Sequence, residues 1–184
     1  MFIYRFANNF SAGKMPSIVD YQIKHYSENW GMVTPFDVEY INPASLDVRL
    51  GNSLKIEGRH PQSGDWCDWD MSTMGPYVLS PGEFVLGHTL ETVKIPDHLE
   101  CQFQLKSSRA REGLEHLLAG YIDPGFEGQI TLELKNVKRF KTIRLTPGMR
   151  VGQLRFGILD QRPLKSYQFT GRYMNDTGAV PSKG

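Results

Sequence analysis

Chemistry-bearing residues are densest between Lys106 and Leu134, KSSRAREGLEHLLAGYIDPGFEGQITLEL. Lys106, Ser107, Ser108 and Arg111 combine hydroxyls with fixed positive charge, the donor set that phosphate oxygens accept through charge-assisted hydrogen bonds. A solvated surface turn is the alternative use of such a cluster. Glu133 lies in the run Ile130-Thr131-Leu132-Glu133-Leu134, where strand alternation sends Ile130, Leu132 and Leu134 to one face and Thr131 and Glu133 to the other. If that second face is buried in a narrow barrel or at a subunit interface, its carboxylate is either paired or tuned for general acid/base work. If it faces solvent, Glu133 is an ordinary outward residue of an amphipathic strand.

Other chemistries lack support. His98-Leu99-Glu100 supplies half of a zinc deaminase signature, but the companion P-C-x-x-C is missing, and no metal-ligand set is expected. There is no phosphate loop of the G-x-x-x-x-G-K-[ST] type, no dinucleotide G-x-G-x-x-G and no G-x-S-x-G elbow.

The 184 residues suit one domain spanning 1–184. A formal net charge of +1 gives no whole-molecule field toward nucleic acid polymers or acidic membranes, although a local basic pocket for a small anion remains open. Cys67 and Cys101 show no disulfide framework spacing and read as reduced thiols of a cytoplasmic protein. The opening MFIYRFANNF lacks the features of a leader, and no apolar stretch is long enough to span a bilayer.

The positioning elements are mostly short strands. A helix is expected from Ser17 to about Asn29, and a half-buried strand over Leu46–Leu50 closed by Gly51-Asn52. Gly58 to Gly75 reads as a long irregular loop anchored by Trp66 and Trp69, with Asp68 and Asp70 between aromatics as the alternative for a sugar or cation. Strands follow at Tyr77–Leu79, Phe84–Leu90, Val93–Ile95, Glu100–Leu105, Gly128–Leu134, Thr142–Leu145 and Val151–Leu159, with a short helix at Ala110–Leu118. Pro-Gly turns between many short strands indicate an all-β antiparallel barrel or sandwich with short helices. From Tyr167 a polar tail runs to Gly184; it is either frayed or closes over a ligand, bringing Arg172, Tyr173 and Lys183 to a base or phosphate.

With these residues in view, the chain resembles the dCTP deaminase family of the dUTPase-like superfamily. The resemblance runs through Pro35-Phe36, NPASLDVRLGN, PGEFVLGHTLETVKIP, SSRAREGL, AGYIDPGFEGQITLEL, PGMRVGQL and YMNDTGAVPSK. It implies a homotrimer of distorted, jelly-roll-like antiparallel β-barrels with active sites between subunits, Mg2+ carried on the nucleotide triphosphate, and deamination without zinc. Carried over by position, Glu133 matches the catalytic glutamate, and Ser107 and Arg111 match residues that position the attacked water and the charge at the base. Lys106 and Ser108 match the phosphate contacts, and Asp123 the carboxylate receiving the 3′-hydroxyl. Ala119, Gly120, Tyr121 and Ile122 match the base and sugar pocket, and Tyr173 and Lys183 the closing tail. The expected reaction is conversion of dCTP to dUTP and ammonia, with dTTP as an inhibitor by family expectation. AGYIDPGFEG looks like the version in members that also cleave the triphosphate, so a bifunctional enzyme yielding dUMP and pyrophosphate, or a plain dUTPase, is the alternative. A catalytically inactive nucleotide-binding regulator is a further one. Departures from the family pattern are Leu105 at a usual Gly, Arg109 at a usual Leu, a shortened Gly113–Ala119 segment, and Leu118 at a usual Thr.

Overall fold

Val85, Val93, Leu132 and Leu134 have no exposed surface, and the two strands that carry them form the spine of the fold. The computed structural model describes residues 16–58 and 66–184. Its first half contains α1 (Asp20–Trp30), β1 (Val33–Thr34), a 3-10 turn at Val38–Tyr40, β2 (Ile41–Asn42), β3 (Ser45–Arg49) and β4 (Ser53–Glu57). Next come β5 (Trp66–Asp70), α2 (Met71–Met74), β6 (Tyr77–Leu79), β7 (Phe84–Lys94) and β8 (Leu99–Leu105). The second half contains α3 (Ser107–Arg111), β9 (Leu114–His116), β10 (Tyr121–Ile122), β11 (Glu127–Asn136), β12 (Ile143–Leu145), β13 (Arg150–Ile158) and α4 (Tyr167–Thr170).

Every strand pairing is antiparallel. One sheet runs β5-β4-β7-β11-β9 with β1 also on β7, a second runs β10-β8-β13-β3-β2, and β12 pairs with β6. Leu54, Val85, Leu132 and Leu134 of the first sheet and Leu46, Val48, Leu154 and Phe156 of the second meet in one apolar cluster. The expected all-β antiparallel fold with short helices is the one found.

Several local expectations change. Part of the expected 58–75 loop is regular: β5 pairs with β4, and α2 follows, capped by Asp70 accepting from the Ser72 N–H at 2.8 Å. Cys67 and Trp69 alternate with Trp66, Asp68 and Asp70, a period of two that the mixture of aromatic and acidic residues disguises. The tryptophan anchors hold, with Trp69 edge-on to Tyr77 at 5.2 Å and Trp66 edge-on to Phe84 at 6.0 Å. Positions 59–65 and 1–15 lie outside the described residues.

The expected Ala110–Leu118 helix is instead α3 followed by β9. Gly113, at φ 90°, breaks the helical path, and a Cβ there would meet Lys138 Cγ at 2.6 Å. The two strands expected around Leu90 fuse into the single β7. In β3 the alternation does not produce a half-buried strand, because Leu46, Asp47 and Val48 are all buried.

Candidate active site

β11 alternates without a break: Ile130, Leu132 and Leu134 are buried in the core, while Gln129, Thr131 and Glu133 are half-buried on the other face. That second face is a wall of a cavity of about 440 Å³, to which Thr131 and Glu133 both contribute. Ala119, Tyr121, Ile122 and Asp123 line another side, with Trp66 and Phe84 also at the wall. Asp123 opens a tight turn in which its carbonyl accepts from the Phe126 N–H at 3.1 Å, with Gly125 at φ 84°. Pro at the second position and Gly at the third are what a type II turn requires. Gly120 brings β10 against β8: its carbonyl accepts from the Phe103 N–H at 2.7 Å, and a Cβ would lie 2.3 Å from the Phe103 oxygen. Partial burial and the hydrogen bond its hydroxyl donates to the Glu100 carboxylate push the Tyr121 phenol up to about 12, so it remains protonated across the neutral range.

Behind Glu133 lies His116, which is not among the expected site residues because the helix expected over Ala110–Leu118 gives it no place beside Glu133. In β9 the register sets His116 opposite Leu134, adjacent to Glu133. His116 is 4% exposed and packs against Phe103 at 4.7 Å between ring centroids. Its Nε2 is 3.3 Å from Glu133 Oε2, and neither atom has a hydrogen-bond partner among the described residues. The signal available in sequence was the Leu114/His116 alternation after Gly113.

The tail is ordered against the cavity. Asn175 N–H donates to the Glu127 carbonyl at 2.7 Å, and Gln129 N–H to that of Asp176 at 2.9 Å. Further on, Gly178 N–H donates to Gln129 Oε1 at 2.7 Å and Val180 N–H to Thr131 Oγ1 at 3.2 Å. Tyr173, Asp176, Val180 and Ser182 thereby join the lining. Lys183 does not: its ammonium binds both oxygens of Asp176 at 2.7 Å and lies 5.1 Å from the Tyr173 ring centre. The Lys183 N–H on the Tyr173 hydroxyl lowers that phenol's pKa from its ordinary value.

The KSSRAR residues stand apart from this cavity. Lys106 pairs with Asp47, a carboxylate 2% exposed that also receives Asn42 Nδ2 at 2.9 Å and Arg150 Nη1 at 3.5 Å. Ser107, Ser108 and Arg111 are exposed on α3. Arg109 is engaged by its own chain, binding both Glu112 oxygens at 2.7 and 3.0 Å and the Arg150 carbonyl at 3.1 Å. Leu118 projects outward, 93% exposed, with φ 61°. Of the expected site residues, Glu133, Ala119, Tyr121, Ile122, Asp123 and Tyr173 share one cavity, whereas Lys106, Ser107, Ser108, Arg111 and Lys183 do not line it. The cavity's acidic side chains are three carboxylates, Asp123, Glu133 and Asp176, and no Lys or Arg lines it among the described residues.

The fold is shared with the solved 2′-deoxycytidine 5′-triphosphate deaminase from Agrobacterium tumefaciens, with a TM-score of 0.64 and 23% identity over 78% of this chain. This chain matches about half of that longer one, 48%. The family model described as dCTP deaminase-like matches residues 18–159, and the chain belongs to that family. A relative from Mycolicibacterium gilvum, named "dCTP deaminase, dUMP-forming", is 43% identical over 81% of this chain and 85% of its own. Another of the same name from Dictyoglomus turgidum is 42% identical over 89% of this chain and 92% of its own.

These relatives correct the expected product. Six more, at 38–41% identity, carry the same dUMP-forming name, so a deaminase that releases dUTP is not what the comparisons support. AGYIDPGFEG, which resembles the version in members that also cleave the triphosphate, agrees with that outcome. The chain is an enzyme of this family, which sets aside the inactive regulator.

Proposed function

We propose that the chain converts dCTP to dUMP, pyrophosphate and ammonia, consuming two waters, one at C4 of cytosine and one at the α-phosphorus. The observation that carries the reading is Glu133 and Asp123 on one cavity, in a chain whose relatives are named as forming dUMP. Glu133 takes a proton from the first water, and the resulting hydroxide adds to C4. That proton passes to N3, Glu133 then carries the proton of the new C4 hydroxyl to the amine, and the C4–N4 bond breaks, leaving a C4 carbonyl and ammonia. Asp123 receives the 3′-hydroxyl, with Ala119, Tyr121 and Ile122 around base and sugar. The second water attacks the α-phosphorus and the bond to the β-phosphate oxygen breaks, releasing pyrophosphate.

A lining of three carboxylates repels a triphosphate, so the cations must come from outside the cavity. This supports a homotrimer in which α3 of a neighbouring subunit brings Ser107 and Arg111 to the water and base, and Ser108 with Lys106 to the phosphates. Lys183 joins the phosphates by exchanging Asp176 for them, with Tyr173 alongside. Magnesium enters with the nucleotide. Among the described residues no group of three or more His, Cys, Asp or Glu is arranged to hold a metal, whereas phosphates supply the hard oxygen donors it prefers. When bound it withdraws charge from the phosphorus under attack. dTTP shares sugar and triphosphate with the substrate and competes for the same contacts. No helix among the described residues is long and apolar enough to cross a membrane, and both cysteines are free, which suits a cytoplasmic setting.

The test is product analysis by ion-exchange chromatography after incubation with dCTP and magnesium, with dUTP in parallel. Equal amounts of dUMP, pyrophosphate and ammonia are expected; dUTP accumulating as the sole nucleotide product overturns the reading.

A further inference from the structure

The net charge of +1 conceals a segregation. Residues 134–159 contain seven Lys and Arg and no Asp or Glu, leaving the rest of the chain with a net charge of −6. Arg150 is engaged with Asp47, and Arg155 donates to Ser17 Oγ at 3.0 Å. The other five, Lys135, Lys138, Arg139, Lys141 and Arg144, all belong to the end of β11, the loop 137–142 and β12. None of these five forms an ion pair among the described residues.

At the centre of this cationic stretch Phe140 is 80% exposed, with the Arg139 guanidinium 4.9 Å from its ring centre. The loop is pinned from beneath. Asn136, fully buried, donates to the carbonyls of Leu79 at 3.0 Å and Lys141 at 2.9 Å and accepts from the Lys138 N–H at 2.9 Å. A buried side chain thus holds in shape a loop that displays an aromatic ring and unpaired cations to water. Across the strand pair, Arg144 lies opposite the exposed Val78, so the positive surface continues onto β12 and β6.

We propose that this β11–β12 connection is a docking surface for single-stranded nucleic acid. Phosphates lie against Lys138, Lys141 and Arg144, and a base stacks on the open face of Phe140 while Arg139 covers the other. Stacking and phosphate neutralisation are the two terms that bind single strands without reading their sequence. A cationic loop can also meet an anionic lipid surface, but insertion draws on apolar area, and here one ring and the flanking Val137 and Val78 are all that is exposed. The expectation that no nucleic acid polymer is a partner rested on the charge of the whole chain, which averages this surface away.

The test is fluorescence anisotropy of a labelled oligodeoxyadenylate against the full chain, with saturating dUMP added to occupy the nucleotide cavity. Binding is expected at low salt, with log affinity falling against log salt at a slope of about −3, as for four or so neutralised phosphates on a single strand. The triple variant Lys138→Ser, Lys141→Ser, Arg144→Ser flattens that slope to about −1 or less. Phe140→Ser weakens binding roughly fivefold or more at unchanged slope. Both variants keep wild-type turnover of dCTP, which shows that they fold. Absence of binding at low salt, binding indifferent to these substitutions, or recruitment to phosphatidylserine vesicles without oligonucleotide binding each overturns the proposal.

Discussion

His116 Nε2 sits 3.3 Å from Oε2 of Glu133, and both atoms are buried without a hydrogen-bond partner among the described residues. Glu133 retains 27% of its side-chain exposure, all of it toward the cavity side of β11. A small rotation of the imidazole makes this an N–H···O bond, fixing one carboxylate oxygen and leaving the other for a water. Under the proposed function the pair divides the labour: Glu133 exchanges protons, and His116 keeps it aimed.

Glu133→Gln keeps the shape and removes the proton acceptor. Release of ammonia from dCTP falls by at least about a hundredfold. Hydrolysis of supplied dUTP to dUMP persists, because that step uses a different water. Parallel assays for ammonia and pyrophosphate check this; a variant that deaminates at the parent rate refutes the role of Glu133.

His116→Ala lowers kcat for deamination roughly tenfold with KM little changed, since nothing that binds substrate is removed. His116→Asn, which can still donate to Glu133, recovers part of the loss. Steady-state kinetics of the two variants separate positioning from simple destabilisation, which would not distinguish them by donor capacity.

Asp47→Asn leaves Lys106 and Arg150 beside a neutral amide at a site where the carboxylate was 2% exposed. Because both cations reach solvent, the stability loss is about 2 kcal/mol rather than the larger value of a fully buried pair. The KM for dCTP rises as Lys106 loses its fixed position. Thermal melts and nucleotide titrations are the measurements.

Burial pushes the His88 imidazole below its ordinary value of 6.5, against the opposing effect of its bond to the Thr89 carbonyl. The unfolded chain therefore takes up this proton first as pH falls. His88 contributes stability above pH 6.5 that is lost as pH drops through that value toward the lower folded one. Urea melts across this window show a decline that His88→Gln reduces.

Glu133→Gln and Arg111→Ala proteins, each nearly inactive, regain activity when refolded together. Sites between subunits that combine an intact Glu133 with an intact Arg111 reach about a quarter of the total by random mixing in a trimer. No recovery above the sum of the separate proteins excludes the shared site.

The Glu133 strand was legible because its alternation is uninterrupted, and the Asp123-Pro124-Gly125 turn because these residues mark turns by their own backbone preferences, whereas Ala119 to Ile122 were legible only through the family resemblance. His116 was not, since Glu115, His116, Leu117 and Leu118 fit a helical turn until the pairing of β9 with β11 overrides local preference. The location of Lys106 was equally hidden: its partner Asp47 is 59 residues away, and a carboxylate between Leu46 and Val48 reads as the wet face of a strand. Only the folded chain, which gathers Asn42, Lys106 and Arg150 around that carboxylate, reveals that it is buried. Product identity was signalled by AGYIDPGFEG alone, through its resemblance to members that also cleave the triphosphate, and the other resembling blocks leave cleavage at phosphorus open.

The tail is fastened to β11 by two kinds of bond in succession: main chain to main chain at Asn175 and Asp176, then main chain to side chain at Gly178 and Val180. The second pair begins at a left-handed glycine, Gly178 at φ 75°. Detachment thus has a built-in order. The outer stretch peels first, at a cost of about 1 kcal/mol per bond, while the inner stretch stays in register as a stub. A nucleotide can enter or leave past the peeled end without the sheet losing a single ladder bond, so the turnover cycle need not draw on the stability of the fold.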